Sequence, residues 1–266
     1  MSGRNAGNEN FPVASFLLPA EIRPHVIAFY TFARTADDIA DAPRLSADEK
    51  LAQLTQLGEQ LDGGKGEPGA SLRCSLQQTR VTPDHARHLL QAFMRDAVRP
   101  TTQDWADLLA YCELSAAPVG RFLIDLSGGI EGDDYAPSDA LCAALQILNH
   151  LQDVKDDAES LGRIYVPADW MAAMGVEARD LVRPACTPHL RAVLDRMLDG
   201  VDALLVQASP LPKTVRAKFL SREAGGILAI ARRLSKALRA NDPLAKRVAL
   251  AKPVAALCFL WGALTA

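Results

Sequence analysis

Apolar residues recur every three or four positions along most of the chain, the spacing that lays one stripe along a helix. This pattern predicts a helix over residues 19–41, closed by Pro43. A second amphipathic stretch, 46–61, runs into "DGGKGEPGA" (62–70), where glycine and proline exclude regular structure. Thr82 and Pro83 read as the cap and first residue of a helix over 83–98. A long helix follows over 104–127 and ends at Gly128-Gly129. Pro118 is expected to kink it and to free the Leu114 carbonyl, a place where a water could be held. Residues 138–160 form the next helix and "LGRIYVP" (161–167) an extended exit; helices over 187–208, 213–239 and 243–264 complete the chain. No segment alternates with the period of two that a half-buried strand requires, and no repeat of fixed length is present. The expectation is one all-α domain covering residues 1–266.

Composition strengthens the helical reading, since alanine and leucine dominate and β-branched runs are scarce. A hydrophobic fraction of 49% with a net charge of −3 excludes a disordered chain and a nucleic-acid binder that relies on a basic surface. The five cysteines, Cys74, Cys112, Cys142, Cys186 and Cys258, are odd in number, scattered and without a CxxC pair. They argue against a disulfide framework or zinc site and for core fillers in a reducing compartment. No charged-then-apolar leader opens the sequence, so a cytoplasmic protein is expected. The final stretch "KPVAALCFLWGALTA" is shorter than the roughly 20 apolar residues a spanning helix needs. It reads as a buried core helix, the alternative being an apolar tail lying in the plane of a membrane.

Charge interrupts the stripe at two places. In "FARTADDIADAP" (32–43), Arg34, Asp37, Asp38 and Asp41 share an arc of roughly 100° when each residue advances the helix by its usual step. Val26, Tyr30 and Ala33 lie along the same line, so these carboxylates continue an inward face. In "QILNHLQDVKDD" (146–157), Gln146, Asn149, Asp153 and Asp157 again share one polar arc, flanked by Cys142 and Leu145, with Lys155 pointing away. A solvated helix end is the plain reading of either Asp-x-x-x-Asp alone. Carboxylates facing inward must be paired or metal-bound, however, and aspartates towards a helix C-terminus oppose its dipole. Two such pairs, each with an amide or guanidinium neighbour, point to a shared metal site. Oxygen ligands without cysteine or histidine suit Mg²⁺, which commonly bridges to a phosphate-bearing ligand. Arg34 would add a direct phosphate contact, and the apolar faces below would hold a greasy chain. The implied chemistry is ionisation of an allylic or similarly activated diphosphate, with the metal as Lewis acid.

"FYTFARTADDIAD", "YCELSAAPVG" (111–120) and "NHLQDVKDDAESLGRIYVP" occur in the order of the two aspartate motifs and intervening cavity segment of the squalene/phytoene synthase family. The chain resembles this family of head-to-head prenyl transferases from about Asn10 to beyond Pro167, and more loosely to its C-terminus. The resemblance implies an isoprenoid-synthase helical fold with the motifs facing each other across a central cavity. It assigns Asp37, Asp41, Asp153 and Asp157, with Asn149, to Mg²⁺ and diphosphate. It gives Arg34, Arg163 and Tyr165 to the diphosphate, and Tyr111, Leu114 and Gln146 to the chamber wall. Ala116, Ala117 and Pro118 depart from the glycine-rich pattern of members that condense two prenyl diphosphates. Gln152 replaces a common arginine, and "NENFPVAS" replaces an N-terminal serine pattern. These departures are most similar to the bacterial hydroxysqualene synthases of the hopanoid pathway, which act on presqualene diphosphate. That reaction releases diphosphate, captures the rearranged cation with water and uses no NADPH; the sequence has no GxGxxG fingerprint. Condensation of two farnesyl diphosphates to presqualene diphosphate or squalene is the alternative. A non-catalytic isoprenoid-binding or assembly protein would not require all four aspartates.

Other residues carry plainer expectations. His85 and His88 read as solvated helix positions, His150 as a packing residue, and Trp105 as core. Gly225-Gly226 fits either close helix packing or room for substrate, while Arg216 or Arg222 could reach a diphosphate. The rings of Phe11 and Tyr30 could shield a carbocation. A partner membrane surface could receive the apolar product. No side chain that positions the capturing water is legible.

Overall fold

The computed structural model describes residues 18–99 and 101–266, except for the side chain of Asp133. Phe11 and the "NENFPVAS" segment lie outside the described residues. The helices are α1 (Arg23–Ala40), α2 (Ala47–Leu61), α3 (Gly69–Thr79), α4 (Asp84–Val98), α5 (Trp105–Ser115) and α6 (Ala117–Leu126) in the first half. They continue as α7 (Ala136–Gln152), α8 (Val154–Asp156), α9 (Ala168–Ala173), α10 (Pro188–Gln207), α11 (Leu211–Thr214), α12 (Lys218–Ala240) and α13 (Lys252–Leu264). Extended pairing among the described residues is limited to two isolated bridges, Thr101 with Ile164 and Ile130 with Val215. The fold is all-α.

Local signals set several boundaries. Ser46 and Glu49 close a reciprocal capping box on α2, Asp104 caps α5, and Thr187 caps α10 ahead of Pro188. Thr82 accepts a hydrogen bond from the amide of Asp84 at 3.2 Å, but α4 begins at Asp84 with Pro83 rather than Thr82 in the cap position.

Three expectations shift. The loop after α2 ends at Pro68, because Arg73 reaches back to the Gln60 and Gly64 carbonyls and ties α3 to the end of α2. The long helix breaks at Ala116 (φ −124°, ψ −47°), and Pro118 sits in the first turn of α6, where its missing N–H costs nothing. The kink therefore lies at Ala116 and precedes the proline. Finally, α7 stops at Gln152; Asp153 (φ −106°, ψ 10°) leads into α8 and a π turn at Asp157–Leu161. The second aspartate pair thus straddles a helix interruption rather than a uniform helix, a geometry that frequently marks functional sites.

Two apolar clusters organise the chain. One joins α1–α4 to Phe122 of α6, with Phe29 and Phe122 stacked at 4.1 Å between centroids. The other is built around α7, α10 and α12. Leu123 and Phe219 touch both clusters. Trp105 lies at the edge of the second cluster, stacked on Trp170 at 5.4 Å.

His85 is buried, with Nε2 2.8 Å from Asp125, which also accepts from the Tyr135 hydroxyl. The solvated reading of His85 is therefore wrong: its face of α4 turns towards α6. The last helix corrects another expectation. Cβ atoms on Gly225 and Gly226 would lie 2.5 Å from the Gly262 carbonyl and the Phe259 ring, so the glycines serve close packing of α12 on α13. Yet Leu257, Leu260, Trp261 and Leu264 on the opposite face of α13 are 58–84% exposed. A helix apolar on all sides can bury only the face it turns inward; here the expected core helix is a surface one. Among the described residues no helix is long and apolar enough to cross a membrane.

Candidate active site

A cavity of about 1150 Å³, counting its open mouth, lies among α1, α6, α7, α11 and α12. Its wall is apolar: Val26, Phe29 and Ala33 face Phe122, Leu123, Leu141, Leu145, Leu220 and Ile227. Tyr30 is also in the wall. Asp37 lies four residues beyond Ala33 on α1, and Asn149 four residues beyond Leu145 on α7. Each polar motif therefore begins one helical turn past the greasy lining.

Every motif carboxylate is balanced by a base. Arg34 pairs with Asp37 at 3.2 Å and with Asp38 at 2.7 Å. Arg163 donates to Asp41 at 2.6 Å and to the Ala40 carbonyl at 2.9 Å. Arg247 donates from Nε to Asp153 at 2.6 Å, and His150 stands 3.7 Å from Asp157. Arg163 also joins the two motifs directly, for its own amide donates to the Asp157 carbonyl at 3.0 Å. The turn that allows this contains Gly162 in the left-handed region, φ 64°. Burial opposes the charge of Arg163, but Asp96, Tyr165 and Asp41 outweigh it and hold its pKa above the ordinary value. Arg34 behaves alike: burial acts against it, and Asp37 and Asp38 raise it.

Behind these pairs lies a supporting layer. The buried carboxyl of Asp96 accepts from the Tyr111 hydroxyl at 2.7 Å and from the Tyr165 hydroxyl at 3.2 Å. Burial pushes the Asp96 pKa up, against the opposing pull of Arg163. Burial followed by Asp96 likewise raises Tyr165, which keeps the phenol neutral. His150 stacks on Tyr165 with centroids 3.6 Å apart, and Gln146 lies 3.3 Å from His150.

The structure thus ties Arg34 to Asp37 and Asp38, Arg163 to Asp41 and through its amide to the Asp157 carbonyl, and Arg247 to Asp153, a set of ion pairs on the two motifs. It places Tyr111, Tyr165 and Gln146 beside that set, not in the cavity wall. Cys142 and Leu145 face the cavity on α7 in place of Gln146. Leu114 is half-buried on α5, from which no described residue lines the cavity. Arg216 donates to the Gly128 carbonyl at 3.3 Å and Arg222 is exposed, so neither belongs to that set.

Two members were missed in the sequence. Asp96 had a usable signal, because it follows Leu89 and Ala92 along the buried stripe of α4, where an aspartate is out of place. Arg247 had none; it lies on the irregular segment 241–251, tied down by Gln152 donating to the Val248 carbonyl.

The donor set fits a hard divalent cation. Asp37, Asp41, Asn149, Asp153 and Asp157 offer oxygen with no thiolate among them, and Asp37 and Asn149 follow the cavity lining of α1 and α7 by one helical turn. Among the described residues these groups are not drawn together into a ligand cluster. Arginines supply the compensating positive charge instead.

Known proteins resemble this chain in both sequence and fold. The squalene/phytoene synthase family profile matches residues 4–253. A hydroxysqualene synthase of Rhodopseudomonas palustris is 40% identical over 266 residues, covering 99% of this chain and 90% of that protein. A hydroxysqualene synthase of Zymomonas mobilis is 40% identical over 256 residues, covering 93% and 84% respectively. A phytoene synthase of Rhodobacter capsulatus is 32% identical over 213 residues, or 76% of this chain and 61% of its own. Among solved structures, a squalene synthase from Alicyclobacillus acidocaldarius superposes with a TM-score of 0.78 at 29% identity, covering 88% of this chain and 90% of that one. A dehydrosqualene synthase shares the fold, with a TM-score of 0.74 at 23% identity and coverage of 95% and 89%. With the match running almost the length of the chain, the protein is an enzyme of the squalene/phytoene synthase family.

Proposed function

We propose that the enzyme converts presqualene diphosphate and water to hydroxysqualene and diphosphate, with Mg²⁺ as cofactor, in the hopanoid branch of squalene biosynthesis. The observation that carries this reading is an apolar cavity whose lining on α1 and α7 leads, one helical turn on, into the two aspartate motifs, where Arg34, Arg163 and Arg247 are paired to Asp37, Asp41 and Asp153. The similarity to hydroxysqualene synthases supports the choice of substrate.

Asp37, Asp41, Asn149, Asp153 and Asp157 would hold Mg²⁺. When bound, the ion supplies Lewis-acid stabilisation of the departing diphosphate. Arg34, Arg163 and Arg247, now spent on carboxylates, would turn their forks to phosphate oxygens, a planar bidentate match. Asp96, Tyr111 and Tyr165 hold Arg163 from behind, and His150 with Gln146 supports the side of Asp157. The Tyr30 ring lies in the wall where a carbocation would be shielded.

The test is incubation of pure protein with presqualene diphosphate in ¹⁸O-labelled water, with and without NADPH, and separately with farnesyl diphosphate. Labelled hydroxysqualene in equal yield under both conditions is expected. The name of the Alicyclobacillus relative favours a second reading, squalene formation. Squalene as the main product with NADPH, or efficient consumption of farnesyl diphosphate, would overturn the first.

We also assign the exposed face of α13 to a bilayer that takes up the apolar product, at the cytoplasmic surface. Lys246 and Lys252, just before and at the start of α13, are exposed and suit anionic headgroups. Sedimentation with anionic vesicles should be lost in Trp261→Asp; equal sedimentation of both proteins refutes the assignment.

A further inference from the structure

The polar groups in the described wall of the apolar cavity are few. Tyr30 comes from α1, Ser138 and Cys142 from α7, and Glu223 from α12. Ser138 hydrogen-bonds the Cys142 thiol, whose pKa burial pushes up to about 11, so this pair offers no base near neutral pH. Tyr30 is a weak acid with the same shortcoming. Glu223 is different in kind: it is the one carboxylate of this wall among the described residues, and only 6% exposed. Leu220, Ala224 and Ile227, on the same side of α12, surround it with hydrocarbon along the cavity.

A carboxylate there has a cost that evolution could remove with a leucine. Ionised, it has about four acceptor sites and is the strongest acceptor of this greasy wall, the group that a water entering the chamber would meet. The proposed reaction needs such a water. The shared first step, loss of diphosphate, falls in the proposed reading to the motif aspartates; they do not decide what captures the cation.

Resting on the proposed reading, we infer that Glu223 holds the water that captures the rearranged cation and accepts its proton. Diphosphate leaves with the electron pair of its carbon–oxygen bond, and the resulting cation rearranges. A lone pair of the held water then forms the new carbon–oxygen bond. One water proton passes to the Glu223 carboxylate, which returns it to solvent after the alcohol departs. The sum is presqualene diphosphate plus water giving hydroxysqualene, diphosphate and a proton, with no oxidant or reductant. The negative charge of Glu223 also favours a cation beside it over one farther along the cavity. This assigns to Glu223 the water-holding part expected of the Leu114 carbonyl.

The experiment measures diphosphate release and product distribution for wild type, Glu223→Gln and Glu223→Asp, with presqualene diphosphate and Mg²⁺ in labelled water. In Glu223→Gln, diphosphate release should persist, while hydroxysqualene per diphosphate falls about a hundredfold, the low end of what a positioned base supplies. Alkenes and isomeric alcohols should take its place. An unchanged product ratio, or loss of both activities in proportion from a folded variant, overturns the inference and leaves the proposed function standing. If Glu223→Gln does not fold, Glu223→Asp decides: the acceptor is drawn back by one methylene, so the alcohol share should drop. An unchanged share overturns the inference. A wild-type enzyme that makes no hydroxysqualene overturns the proposed function, and this inference with it.

Discussion

Replacing Arg163 tests whether the two aspartate motifs are held together by one buried guanidinium. Its side chain is 8% exposed and makes two hydrogen bonds, to the Asp41 carboxylate and to the Ala40 carbonyl. Methionine fills similar space without charge. Charge-assisted hydrogen bonds are worth about 1.5–3 kcal/mol each, and breaking a buried pair costs about 3–5 kcal/mol. Two features hold the loss towards the lower figure. The Asp41 side chain is 30% exposed and can turn to water. Asp96, already shifted upward, can take a proton once Arg163 is gone. Arg163→Met should therefore lose about 3 kcal/mol, equivalent to a fall of about 6–12 °C in Tm for a chain of this size. Arg163→Lys keeps the charge but not the fork, and should lose about half as much. Urea denaturation without Mg²⁺ measures both. A double-mutant cycle with Asp41→Asn should return a coupling of about 1 kcal/mol or more. Stability of Arg163→Met within about 0.5 kcal/mol of wild type, the range of an ordinary surface substitution, would refute the bridging role.

Three further outcomes are expected. Asp37→Ala and Asp153→Ala should each reduce turnover at least about a hundredfold while the fold persists, because a preorganised contact to a leaving group is worth several kcal/mol; near wild-type turnover in either removes the metal-site reading. Gly225→Val would place side-chain atoms where a Cβ alone already lies 2.5 Å from the Gly262 carbonyl, so it should displace α13 and increase protease cleavage before Lys252, whereas unchanged cleavage would refute the close packing. Asp96 has a folded pKa above its unfolded one, so its contribution to stability is complete below the unfolded pKa and is lost as pH rises through the folded value. The stability of Asp96→Asn relative to wild type should accordingly improve as pH rises from about 4 towards 7, and a relative stability that falls with pH would contradict the raised value.

Local and periodic features were legible in the sequence. The apolar stripe of three-to-four spacing gave nearly every long helix, since that spacing expresses backbone geometry and needs no partner. Asp37, Asp41, Asp153, Asp157, Arg34 and Asn149 stood out for the same reason: charge and amide placed where the stripe predicts hydrocarbon. Matters between segments distant in the chain were not legible. Arg247 meets Asp153 across 94 positions, and Arg163 meets Asp41 across 122, through contacts that no local pattern encodes. His85 and Tyr111 exchanged their expected surroundings for Asp125 and Asp96 because helix packing, not helix periodicity, decides which face is dry. The terminal helix shows the same limit. Its composition announces an apolar segment, but only the approach of Gly225 to Gly262 determines which side is buried and leaves Trp261 in water. Glu223 was visible as a residue within "REAGGILAI"; its significance arose when α1, α6, α7 and α12 closed a hydrocarbon chamber around it. Burial is a property of the assembled helices, and the chemistry of a carboxylate depends on burial more than on its neighbours in sequence.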